Sequence, residues 1–186
     1  MAFRTLCHLV FLLIVLSLTW LDAAADPRPS YRPFEVKSGN RQFTARVFVA
    51  DKQGGERAWQ WRYRLQVVST QDDAVQWEHD YVYDGHPGGD LSDDGRYFAD
   101  TSIGYRDVGQ LVSIYRAQGQ HHFSAADLHV RPTGLEGTRS RLPWLHDVHF
   151  VNDESGAARF VVETLEGSRC IRLRPEILVE DACTGE

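Results

Sequence analysis

The densest collection of groups able to do chemistry lies between Asp84 and Gly95. Asp84, His86, Asp90, Asp93 and Asp94 stand there among Gly85, Gly88, Gly89 and Gly95. Carboxylates and an imidazole in such proximity can hold a cation or move protons. Asp90, Ser92, Asp94 and Gly95 imitate the start of a calcium loop. The twelfth position of that loop is Thr101, where a bidentate Glu is required, and strands rather than helices are expected on either side. Tight turns use the same Asp and Gly residues, because Asp accepts from nearby backbone N–H groups and Gly tolerates positive φ. Turn formation therefore explains the segment with less. A calcium ion at Asp90, Asp93 and Asp94 is the one cofactor these residues offer.

The histidines are the next candidates. His121-His122 and His146-Asp147-Val148-His149 are the two groups. Neighbours in a strand point to opposite faces, and so do residues three apart. Neither histidine pair can chelate one ion by itself without a bulge. A site would have to be assembled across strands, for example from His122 and His149. No His-Glu-x-x-His or paired-cysteine zinc motif is present. The chain also lacks a Gly-x-Ser-x-Gly elbow and a Ser-x-x-Lys motif, so nucleophilic catalysis has no anchor. Trp59, Trp61 and Tyr63 form an aromatic stripe with two readings. Exposed, it is a binding platform for a sugar ring or a protein. Buried, it is the core face of a strand, which the continuation through Leu65 and Val67 favours.

The elements that must position these groups are β-strands. Trp59 to Val67 is the clearest: odd positions are apolar, whereas Gln60, Arg62, Arg64 and Gln66 are polar. That alternation marks a half-buried antiparallel strand. Further strands are expected at Gln42 to Ala50, Val75 to Tyr83, Arg96 to Thr101, Leu111 to Arg116, Gln120 to Phe123, Asp147 to Val151 and Arg159 to Leu165. Arg169 to Arg174 and Ile177 to Glu180 should form a C-terminal hairpin. Turn residues punctuate them at short intervals. One short helix is expected near 125–130, where Ser124 and Asp127 resemble a capping box and Pro132 would end the helix. Arg131 to Pro143 reads as a surface loop. The fold class is all-β, mostly antiparallel, a propeller-like or sandwich-like sheet assembly.

The N-terminus sets the compartment. Arg4 precedes a run of thirteen uncharged, mostly apolar residues from Leu9 to Leu21, and Ala23, Ala24 and Ala25 follow. This is the order of a secretory signal peptide. The run is shorter than the roughly 20 residues of a membrane span. Cleavage after Ala25 would leave a Pro-rich extended leader at 26–33 and one domain at 34–186. The exported protein would be periplasmic or secreted, with no transmembrane segment. Cleavage also removes Cys7 and leaves Cys170 and Cys183, an even pair that reads as a disulfide in an exported protein. The net charge of −6 argues against nucleic acid as a partner.

Ser92-Asp93-Asp94-Gly95-Arg96-Tyr97, followed by Phe98-Ala99, resembles the turn-and-strand phrase of β-propeller blades of the WD-repeat and related types. The wider pattern from Phe34 to Pro175 is similar to small uncharacterised secreted bacterial proteins. The resemblance implies a β fold and no known activity. The leading expectation is an exported, non-enzymatic β module that binds a protein or glycan in the envelope. The competing readings are a hydrolase or metal-dependent enzyme built on the 84–94 loop, and a structural envelope protein.

Overall fold

The computed structural model describes residues 29–101, 110–130, 145–164, 166–174, 177–180 and 183. The signal segment 1–25, the expected loop at 131–143 and Trp144 lie outside them. Three four-stranded antiparallel sheets follow one another along the chain. Sheet A contains β1 (Phe34–Lys37), β2 (Phe43–Asp51), β3 (Arg62–Ser69) and β4 (Val75–Tyr81). Sheet B contains β5 (Asp90–Leu91), β6 (Phe98–Asp100), β7 (Val112–Arg116) and β8 (Gly119–Phe123). Sheet C contains β9 (Leu145–Asn152), β10 (Ala158–Thr164), β11 (Gly167–Arg172) and β12 (Leu178–Glu180). Each strand pairs with the next in sequence, so every sheet is an open meander built from short connections.

Sheet B is the middle layer. One of its faces contributes Leu91, Phe98 and Tyr115 to a core shared with Val47, Leu65, Val67 and Tyr81 of sheet A. Its other face contributes Ala99, Ile114 and Phe123 to a second core with Phe160, Val162 and Ile171 of sheet C. This explains why Val112 to Tyr115 are buried without interruption while β3 and β10 alternate more openly. The outer faces of sheets A and C are charged. On sheet A, Arg46 pairs with Glu35 and Asp73, and Arg64 with Glu78 and Asp80. Such exposed pairs contribute little to stability and keep the face solvated.

Local chemistry explains the departures from simple alternation. The strand expected to begin at Trp59 begins at Arg62, because Ala58–Gln60 form a 3-10 turn. The Gln60 side chain accepts from the Arg57 N–H at 3.1 Å, and Trp61 N–H donates to the Ala58 carbonyl at 3.2 Å. The helix expected near 125–130 is a single hydrogen-bonded turn. Its capping box forms: Asp127 N–H donates to Ser124 Oγ at 3.2 Å, and Ser124 N–H donates to Asp127 Oδ2 at 2.8 Å. A stop follows at once. His129 has φ of 51°, Val130 N–H reaches the Ala125 carbonyl, and His129 N–H reaches that of Ala126. These are the paired bonds of a Schellman cap, leaving no room for a second turn. The segment before β1 is extended but docked. Tyr83 Oη donates to the Ser30 and Arg32 carbonyls, and Tyr31 packs on the Tyr63 and Tyr83 rings.

The two-residue strand β5, inside the segment read as a turn-rich loop, joins all three sheets. Asp90 Oδ2 accepts from Phe150 N–H at 2.9 Å, covering a backbone donor on the free edge of β9. Its other oxygen accepts from Leu91 N–H at 2.9 Å. Burial raises the Asp90 pKa above the usual carboxylate value, against these two bonds. Replacing Asp90 with Ala should destabilise the protein by about 1–3 kcal/mol, because the Phe150 N–H loses a charged acceptor. Urea unfolding of the variant measures this, and amide exchange at Phe150 should accelerate.

Candidate functional site

The loop carboxylates are each engaged separately, Asp94 within its own turn and Asp90 and Asp93 by backbone groups distant in the chain. Asp93 Oδ1 accepts from Asn40 N–H at 2.7 Å, and Asn40 returns a bond to the Asp93 carbonyl at 2.9 Å. Asp94 Oδ1 accepts from Ser92 Oγ at 2.7 Å and from Arg96 N–H at 3.1 Å. Ser92 Oγ in turn accepts from Tyr97 N–H at 3.0 Å. Gly95 has φ of 68°, and a Cβ there would lie 2.6 Å from the Phe43 ring, so both conformation and space require glycine. Asp90 closes the β9 edge. Asp90, Asp93 and Asp94 do not converge as a ligand group.

The aromatic stripe divides as well. Tyr63 is 3% exposed in the core. Trp61 is half-buried and its indole N–H donates to the Gly55 carbonyl at 3.0 Å. Trp59 is 57% exposed. The three do not share one open face. His122 and His149 find separate partners on separate sheets. His122 Nδ1 lies 2.6 Å from Gln110 Nε2 and 3.1 Å from Ser113 Oγ. His149 Nδ1 lies 3.4 Å from Asp147 Oδ2.

Two other constellations come together. The first is a cleft of about 800 Å³ at the end of the sheets where the β5–β6, β7–β8 and β9–β10 turns meet. Arg96, Arg116 and Arg174 line it, together with Trp77, Tyr97 and Asp153. Trp77 and Tyr97 are largely buried and form the floor. The Trp77 indole N–H donates to the Gly95 carbonyl at 2.7 Å, and Tyr97 Oη donates to the Leu173 carbonyl at 3.3 Å. Asp153 is already engaged: Ser155 and Ala157 of its own turn donate to Oδ1, and Arg159 on β10 pairs with Oδ2 at 3.4 Å. Arg96 is loosely paired with Asp94 at 3.7 Å. Arg174 donates to the neutral Tyr97 hydroxyl at 3.3 Å. Among the described residues, the Arg116 guanidinium has no ion pair or hydrogen bond. The cleft is therefore locally positive in a chain of net charge −6.

The second constellation is Asp147, His149 and Glu163, whose ligand atoms lie within 4.8 Å of one another. Asp147 and His149 are two apart on β9, and Glu163 sits opposite Asp147 on β10. The Asp147–His149 spacing already places both on one face, a signal present in the sequence that a comparison of histidine with histidine does not use. The three arginines are far apart in the chain and meet only through the turns, so no spacing in the sequence marks them. A further carboxylate, Asp100 on β6, interacts with Tyr81. Burial among the rings of sheets A and B pushes its pKa up to about 7.

No protein-family model matches the chain, and no curated protein or solved structure shows significant similarity to it. Among the described residues, no helix is long and apolar enough to cross a membrane.

Proposed function

We propose that this protein is an exported, non-enzymatic β module that binds an anionic partner in the cell envelope through the arginine-lined cleft. Cleavage near Ala25 would place it in the periplasm or outside the cell. The observation that carries the reading is the cleft itself: three guanidinium groups, with the one acidic lining group paired with Arg159. Arginine presents a planar fork of donors that matches carboxylate, sulfate or phosphate oxygens in pairs. Two of the arginines, 116 and 174, have no carboxylate partner among the described residues. The Cys170–Cys183 disulfide supports an oxidising compartment. The separate engagement of Asp90, Asp93 and Asp94 weighs against an enzyme built on the 84–94 loop.

The expected partner is a glycan bearing carboxylate or sulfate groups, with an acidic protein segment as the alternative outcome. An array of acidic and neutral glycans, read at low and high salt, tests the proposal. Acidic glycans should bind, binding should weaken with salt, and neutral glycans should not bind. The double variant Arg116→Ala, Arg174→Ala should weaken binding at least about tenfold, because each charge-assisted bond is worth about 1.5–3 kcal/mol. Equal binding of neutral glycans, or full affinity in the double variant, would overturn the assignment.

A further inference from the structure

We propose that Asp147, His149 and Glu163 form a zinc site on the outer face of sheet C, independent of the cleft. The backbone frame is fixed by pairing. Asp147 faces Glu163 and His149 faces Val161 in the antiparallel register of β9 with β10. The alternate residues Val148 and Phe150 pack inward against the core, which holds 147 and 149 on the outside. A bulge between Glu163 and Thr164 interrupts the ladder beside the third ligand. Bulges re-aim side chains at sheet edges and next to sites.

The donor chemistry is that of a transition metal rather than calcium. One imidazole nitrogen and two carboxylates suit zinc, whereas calcium takes six to eight oxygens. His149 Nδ1 and Asp147 Oδ2 are 3.4 Å apart. That is the ligand-to-ligand edge, about 3.3–3.4 Å, of a tetrahedron with the usual zinc bond lengths. Charge points the same way. Arg159 and Arg172, the cations further along this face, pair with Asp153 and Glu180. Among the described residues, neither Asp147 nor Glu163 has an ion pair with Arg or Lys. Two carboxylates sharing one spot repel each other, and a divalent ion removes that repulsion. Three protein ligands leave a fourth position open, as in zinc sites that hold water or a partner's side chain.

Calorimetric titration of the purified, untagged protein with zinc chloride near neutral pH tests the site. One zinc per chain should bind, and calcium chloride should give no heat. His149→Gln and Glu163→Gln should each weaken zinc binding by more than about tenfold, since loss of even an outer-sphere partner costs that much. His79→Gln, on β4 of sheet A, should leave binding unchanged. A second measurement does not depend on the variants: histidine ring resonances of the parent protein should shift at His149, and not at His79 or His122, when zinc is added. Absence of zinc binding, unchanged affinity in both variants, or shifts confined to other histidines would overturn the proposal. Failure of the glycan experiment leaves this result untouched, because the cleft and the zinc ligands share no residue.

Discussion

Asp100→Asn is expected to stabilise the protein above neutral pH and to flatten its stability profile between pH 4 and 7. Asp100 lies opposite Ser113 in the β6–β7 pair and faces Tyr81 across the interface of sheets A and B. Burial among Tyr81, Tyr115 and Phe98, with Asp84 nearby, raises its pKa from 3.8 to about 7. A group whose folded pKa is raised binds its proton more tightly when folded. Between the unfolded and folded values the native state holds a proton that the unfolded chain has lost. Stability therefore falls as pH rises from about 4 to about 7 and is constant above that. The full shift corresponds to about 4 kcal/mol. Part of Asp100 reaches the surface, so solvent screening reduces the expected gain on removing the charge to roughly 2 kcal/mol. Asn has nearly the same size and shape and no charge, so the variant isolates the charge. Urea unfolding across this pH range measures the effect. Parallel profiles for the parent and Asp100→Asn would show that Asp100 does not carry the penalty.

Breaking the Cys170–Cys183 bridge is expected to cost about 3 kcal/mol, equivalent to roughly 6–12 °C in Tm. The two cysteines are 13 residues apart in sequence, with Cα atoms 5.2 Å apart. Cys170 is 1% exposed and pairs with Val161 and Glu180 across its neighbouring strands. β12 is only three residues long, and besides the bridge it is held by its ladder to β11, by Val179 against the core and by the pairs of Glu180 with Arg159 and Arg172. The double variant Cys170→Ala, Cys183→Ala should therefore lose global stability and expose the amides of Leu178–Glu180 to faster exchange. Thermal unfolding of the variant, compared with the dithiothreitol-treated parent, tests this. An unchanged midpoint in both would mean that the bridge closes a segment already ordered without it.

Much of the architecture was legible in the residues. Period-two patterning placed β2, β4, β7, β8, β9, β10 and the terminal hairpin close to their observed bounds, because a strand with one buried face must alternate. Patterning failed where backbone chemistry outweighed it. Trp59 continues the odd-numbered apolar series, yet Gln60 closes a 3-10 turn and leaves the indole outside the strand. Ser124 and Asp127 specified a helix start, but the His129–Val130 cap ended it after one turn. β5 was invisible because two residues show no period. In the 84–95 segment, Asp84, Asp94 and Gly95 serve the turn roles that their types imply, whereas Asp90 and Asp93 reach Phe150 and Asn40, partners that sequence spacing does not show.

The sequence by itself determined the all-β class, the pairing of Cys170 with Cys183 and the turn chemistry of Ser92 to Tyr97. Each depends on near neighbours in the chain or on composition, where spacing translates directly into geometry. Tertiary structure alone decided that sheet B is buried on both faces, that Asp100 sits among tyrosine rings, and that Arg96, Arg116 and Arg174 line one cleft. It also set Glu163 against Asp147 and His149. These groupings join residues from different strands and turns. Register and sheet stacking fix their distances, and a one-residue change in register would turn every such side chain to the other face.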